Sequence, residues 1–211
     1  MLNRNSSAGT AADSSTQPML QCPAKLLPNT MLAAVNLSNV SPNDKICIVV
    51  FGNIASGKST LSKKIIELLP QFSFACIDNN RRNLFGKIEN SIERERKAEE
   101  ELIKQIFSRQ YVVYETTGTS RLFKSIQFRI RSHFKTIFIF VNCSVSECVY
   151  RFNYRKNDRM AMPGFKSKLS IREVMYSIED KMNRKVHLEL NSEKLNQDEM
   201  FDQFKAAFYR R

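Results

Sequence analysis

The chain has 211 residues, 42% hydrophobic and 26% charged, a balance that suits a folded domain with a real core and excludes a wholly disordered chain. Lysine and arginine outnumber aspartate and glutamate 33 to 21, a formal net charge of +12. This favours a polyanionic partner, nucleic acid first, with an anionic small substrate or plain solubility as the alternatives. No apolar run approaches the ~20 residues of a membrane span, so no membrane partner is expected. Five cysteines without a CxxC pair, beside two histidines, argue against a structural zinc site and for a reducing, cytoplasmic setting.

Residues 1–43 differ from the rest. The first 18 are rich in Ser, Thr, Ala and Asn and read as a low-complexity, flexible segment. Residues 22–40 are more apolar but are interrupted by Pro23 and Pro28; Leu26, Leu27, Met31, Leu32 and Val35 suit a short helix or packed arm. A transit peptide is a weaker alternative, because Arg4 and Lys25 are the segment's only cations. Residues 44–211 read as one domain.

That domain opens on the apolar run 46–51, which predicts a buried parallel strand. Gly52-Asn53-Ile54-Ala55-Ser56-Gly57-Lys58-Ser59-Thr60 follows and fits the phosphate-loop pattern G-x-x-x-x-G-K-[ST] without a mismatch. Leu61, Ile65, Ile66, Leu68 and Leu69 then fall at helical spacing. Strand, loop and helix are the context that this motif requires. The glycines let backbone N–H groups approach phosphate oxygens, and the helix N-terminus adds partial positive charge. Lys58 is placed to reach the β- and γ-phosphates and Ser59 to ligate Mg²⁺. ATP and Mg²⁺ are therefore the expected cofactors.

Further strands are expected at 72–77, 111–114, 136–141 and 186–190. Helices are expected at 80–87, 91–108, 120–134, from Ser144, at 171–185 and from Asn196. Ser144-x-x-Glu147, Ser170-x-x-Glu173 and Asn196-x-x-Glu199 read as capping boxes. In the second helix Glu93–Lys97 and Glu100–Lys104 can pair at i,i+4, and the run 93–97 reads as a solvated face. The helix at 120–134 is basic, with Arg121, Lys124, Arg129 and Arg131. The alternation predicts a three-layer α/β fold, a parallel sheet of about five strands with helices on both faces. Ligands then bind beyond the carboxyl ends of the strands.

Three groups stand at those ends. After the second strand come Asp78, suited to take the proton of an attacking hydroxyl, and Arg81, suited to a substrate phosphate; a simple Asn/Asp turn is the alternative. After the third come Glu115 and Thr116, with Glu115 the best-placed acid for Mg²⁺ or substrate, a capping loop being the alternative. After the fourth, Arg151, Arg155 and Arg159 share one helix face and suit an Arg-rich lid over the nucleotide, at about residues 151–169; a solvated basic face is the alternative.

Together these motifs resemble the phosphate-loop kinases, and within them the phage-type 5′-polynucleotide kinases and the zeta-toxin group. The resemblance rests on the phosphate loop, on Asp78-x-x-Arg81, on Glu115-Thr116, on Arg151-Phe152-Asn153-Tyr154-Arg155, and on Met162-Pro163 before residues 171–176. It spans most of residues 45–185. It implies a nucleoside-monophosphate-kinase-like fold in which Asp78 is the general base, Arg81 contacts substrate and Arg155 is the catalytic lid arginine beside Lys58. The chain departs from the pattern in its Asn153, one place late, in Glu115, where Asp is usual, and in having no phosphatase domain after the kinase. The leading expectation is an ATP-dependent kinase acting on the 5′-OH of a nucleic acid. A zeta-toxin-like kinase of sugar nucleotides or other small molecules stands second, and an ATP-binding nucleic-acid switch without transfer chemistry third.

Overall fold

In the computed structural model, residues 36–154, 168–179 and 186–209 are described. The central strand β1 (Ile46–Gly52) buries all of its residues except half-buried Phe51. It pairs in parallel with β3 (Tyr111–Thr116) on one side and β4 (Lys135–Asn142) on the other. Strands β2 (Ser73–Cys76) and β5 (Leu188–Asn191) add at the two edges, again parallel, giving the order β2-β3-β1-β4-β5. Parallel neighbours need crossovers, and among the described residues six helices provide them: α1 (Lys58–Leu68), α2 (Ile77–Leu84), α3 (Ser91–Phe107), α4 (Arg121–His133), α5 (Val145–Tyr154) and α6 (Lys168–Glu179); α7 (Gln197–Phe208) follows the last strand.

The two-residue period of β1 divides the core. Ile46, Ile48 and Val50 face α1 and α7, meeting Leu61, Ile65, Met200, Phe204 and Phe208. Cys47 and Val49 face α3 and α4, meeting Leu102, Ile106, Phe123, Ile126 and Ile130. A third cluster, Ile54, Ala55, Cys143, Cys148 and Ile171, joins the phosphate loop to α5 and α6 at the carboxyl edge. The three-layer fold expected from the sequence is the fold observed. No helix among the described residues is long and apolar enough to cross a membrane.

Several boundaries moved for local reasons. The helix expected at 80–87 is α2, which starts directly after β2 and so takes Asp78 into its first turn. Strand β3 runs two residues further than expected and contains Glu115 and Thr116. Ser170 lies inside α6 rather than capping it, and residues 180–185 lie outside the described residues. The box at Asn196 and Glu199 forms completely. At Ser144 only half of it forms: the hydroxyl accepts from Glu147 N at 3.2 Å, but the Glu147 carboxylate goes to Arg151 and Glu193 takes the Ser144 N–H. In α3 the Glu93–Lys97 pair forms at 3.4 Å, whereas Glu100 pairs backwards with Arg96. The thiols of Cys47, Cys76, Cys143 and Cys148 are free and buried.

Residues 36–43, grouped by composition with the N-terminal segment, pack on the domain. Asn36 caps a 3₁₀ turn (Leu37–Asn39), Leu37 is 2% exposed in the α1/α7 core, and the Tyr111 hydroxyl donates to Ser41 O at 2.9 Å. Leu37→Ala should lower unfolding free energy by about 2–5 kcal/mol, the usual range for a buried leucine. Urea denaturation measures it; a loss of only a few tenths would show that this arm is no part of the cooperative fold.

Candidate functional site

The site lies where β1, β2 and β3 end. Gly52 turns the chain out of β1 with φ +152°, and a Cβ there would meet Val141 O at 2.3 Å. Only glycine fits so close a backbone approach. Gly57, at φ +97°, leads into α1 without a side-chain cap, so the first-turn N–H groups of the helix are left for a ligand. Ala55 takes the left-handed conformation, φ 61°, alone among the described non-glycine residues. Asn53, Ile54, Ala55 and Ser56 are all buried, and the Ser56 hydroxyl has no partner.

Asn53 ties the loop in three directions. Its Oδ1 accepts from Ile54 N at 2.8 Å, its Nδ2 donates to Ile171 O in α6 at 3.2 Å, and its carbonyl accepts from Lys58 Nζ at 2.6 Å. Lys58 is 7% exposed. Burial pulls its ammonium below the ordinary lysine value, and Glu115 opposes this, with Cys148, Cys76 and Asp78 adding to the opposition. Both proposed carboxylates thus act on the charge of the loop lysine. Ser59 Oγ donates to Glu115 Oε1 at 2.7 Å, and Glu115 Oε2 is buried without a partner. Hard oxygens in this arrangement fit Mg²⁺, which takes one or two carboxylates and completes its sphere from water and phosphate. Thr60 is half-buried beside them. The Thr116 hydroxyl accepts from Gly118 N at 3.1 Å and so shapes the turn after β3.

Asp78 sits at the N-terminus of α2, where the helix dipole favours a carboxylate. Its Oδ1 accepts from Arg81 Nη1 at 2.9 Å. The other edge of the Arg81 guanidinium engages Glu95 through Nε at 2.8 Å and through Nη2. Arg81 is therefore held between two carboxylates. It bridges α2 to α3 rather than standing free for a substrate phosphate. The sequence does not single out Glu95, because the run 93–97 reads as a solvated face. The signal for it was present: Glu95 continues the stripe Ala98, Leu102 and Ile106, which is the buried face of α3. A carboxylate on an inward face calls for a cationic partner. A second tie between the two helices comes from buried Asn80, which donates to Ala98 O and exchanges hydrogen bonds with Gln105.

Arg151 is likewise engaged. Its Nε donates to Glu147 Oε1 at 2.7 Å, and Nη1 and Nη2 donate to Ser192 Oγ and O at 3.1 and 2.7 Å. It fastens α5 to the turn after β5 rather than reaching towards the loop. Arg155, Arg159 and Met162-Pro163 lie outside the described residues, as does most of the segment expected as a lid, about residues 151–169.

The Arg81 hydrogen bond holds the Glu95 carboxyl below its ordinary value of 4.5. A depressed carboxyl stabilises the fold above its ordinary value, and that contribution fades as pH falls through and below it. Glu95→Gln should flatten the fall in melting temperature between about pH 5 and 3 and leave the neutral side parallel to wild type. Two superimposable acid limbs would show that the bridge does not stabilise the fold.

A family model described as Shikimate kinase matches residues 54–208. No curated protein matches in sequence. Among solved structures, a gluconokinase from Sinorhizobium meliloti 1021 is 20% identical over 76% of this chain and 90% of its own, with a TM-score of 0.53. A shikimate kinase from Acinetobacter baumannii in complex with shikimate is 17% identical over 78% of this chain and 90% of its own, TM-score 0.52. A chain of the Pnkp1/Rnl/Hen1 RNA repair complex is 19% identical over 70% of this chain, TM-score 0.55; this chain spans 49% of its length. Identities this low establish a shared fold and no more.

Proposed function

The chain belongs to the shikimate kinase family of phosphate-loop kinases, ATP-dependent phosphotransferases that act on a hydroxyl group, and on that premise we propose that its acceptor is the 5′-OH of a polynucleotide. The observation that supports the reading is the Asp78 carboxylate in the first turn of α2, held on one oxygen by Arg81 and near enough to act on the charge of buried Lys58. Asp78 Oδ2 then remains to take the acceptor proton while the arginine fixes the carboxylate's direction.

The first-turn amides of α1 and Lys58 hold the phosphates, and on ATP arrival Lys58 leaves Asn53 O for a phosphate oxygen. Ser59 and Glu115 would hold Mg²⁺, which supplies charge neutralisation on the phosphate oxygens. Asp78 orients and deprotonates the hydroxyl. The Arg81–Glu95 pair is a positioning device for Asp78. Arg155 and Arg159 keep the lid role that the sequence suggests.

The choice of a polynucleotide rests on the charge of +12 and on the resemblance of Asp78-x-x-Arg81, in its order and spacing, to the phage-type polynucleotide kinases. The fold does not choose between acceptors, because the RNA repair complex, the gluconokinase and the shikimate kinase have it in common. A second reading, a small polyhydroxylated acceptor of the shikimate, gluconate or sugar-nucleotide kind, is favoured by the family match itself.

Transfer of label from γ-labelled ATP separates the two readings. Label should appear on 5′-OH DNA or RNA and be absent from the same strands carrying a 5′-phosphate. Transfer to shikimate, gluconate or a nucleotide sugar alone would establish the second reading. Asp78→Asn should lower kcat by about 10²–10⁴ with ATP affinity nearly unchanged. Near-normal turnover would remove Asp78 from the role of base.

A further inference from the structure

Helix α4 begins at the rim of the cleft. Glu115 and Thr116 end β3, three residues follow, and Ser120 caps α4 by accepting from Phe123 N at 3.0 Å. The helix then runs back along the sheet, burying Phe123, Ile126 and Ile130 against β1 and β3. Its outer face is a different surface. Arg121, Lys124, Ser125 and Phe128 follow one another at helical spacing, all exposed, and the Phe128 ring is 77% exposed. The helix has no acidic residue.

The neighbouring helix α3 is rich in glutamate, yet among the described residues no salt bridge reaches a cation of α4. Arg129 and Arg131 instead lie over the rings of Phe107 and Phe138 at 4.4 and 4.9 Å. Arg121 and Lys124 thus stand unneutralised in the first turn of α4, beyond the β3 end that carries Glu115 and one to two turns from an aromatic ring in open solvent. An exposed phenylalanine on a cationic stripe suits a ligand with phosphates along its backbone and flat rings beside them.

We propose that the outer face of α4 is the track for a single-stranded polynucleotide whose 5′ end lies in the cleft, with Arg121 and Lys124 on successive phosphates and an unpaired base stacked on Phe128. Arg121 to Phe128 spans about 10 Å of helix, so the track engages nucleotides beyond the first one or two. A single strand is required because a duplex keeps its ring faces covered. The proposal rests on the polynucleotide reading above and gives it a specificity: longer strands bind better than a dinucleotide.

The test measures fluorescence anisotropy of a labelled thymidine strand of about 12 nucleotides against salt, with label transfer to a dinucleotide as a separate readout. Arg121→Glu with Lys124→Glu should weaken binding at least about tenfold and reduce the slope of log K against log salt by about 1.4, two single-strand phosphate contacts. Phe128→Ala should weaken binding about tenfold and leave the slope unchanged. All these residues are exposed, so melting temperatures should match wild type, and dinucleotide transfer should be unaltered. Wild-type affinity in both variants, or no binding of the strand by wild type, overturns the track while leaving the acceptor reading to the transfer assay. Loss of binding in the variants, with no transfer to any 5′-OH end, keeps the track and removes the kinase acceptor. Equal displacement by poly-glutamate, with no effect of Phe128→Ala, assigns the face to an acidic protein and overturns the proposal.

Discussion

Lys58 sets the terms for this structure, because an ammonium group nearly out of water has to be compensated by whatever surrounds it. Asn53 O meets it directly, and Glu115 lies close enough to oppose the loss of its charge. The loop must therefore curl back on itself, which demands a left-handed Gly57 and a Gly52 pressed against the Val141 carbonyl. It must also sit at the ends of β1 and β3, where Glu115 stands. A cation held this way is a stored affinity for phosphate: an anion that enters replaces a neutral carbonyl by a charged partner.

The two sheet faces divide the work. On one, α1 carries Lys58 and Ser59 and rests with α7 on Ile46, Ile48 and Val50. On the other, α3 and α4 cover Cys47 and Val49, and α3 holds α2, with Asp78 at its first turn, through Arg81–Glu95 and Asn80–Gln105. Lys58 and Ser59 are fixed to their layer by apolar packing, whereas Asp78 is fixed by a polar bridge between two helices. Polar bridges specify direction better than packing does.

The phosphate loop is also joined to α5 and α6. Asn53 reaches Ile171 in α6, Ile54 and Ala55 pack with Cys143 and Cys148, and Arg151 binds α5 to Ser192. The arginine of α5 that the sequence presents as a lid cation serves in this framework instead.

Local chemistry is enough to read the phosphate loop, the alternation of strand and helix and the three-layer fold, because each depends on residues adjacent in the chain or one helical turn apart. The same adjacency brought out Asp78 and Glu115 as acids at strand ends. Tertiary structure alone decided the partners. Arg81 is committed to Glu95, 14 residues away, Arg151 to Ser192, 41 away, and Asn53 to Ile171, 118 away. An arginine that looks free for a substrate in the sequence is free only if no carboxylate folds against it. Leu37 shows the same limit in the core: its neighbours along the chain are polar and proline-broken, and only the surface offered by α1 and α7 makes it part of the domain.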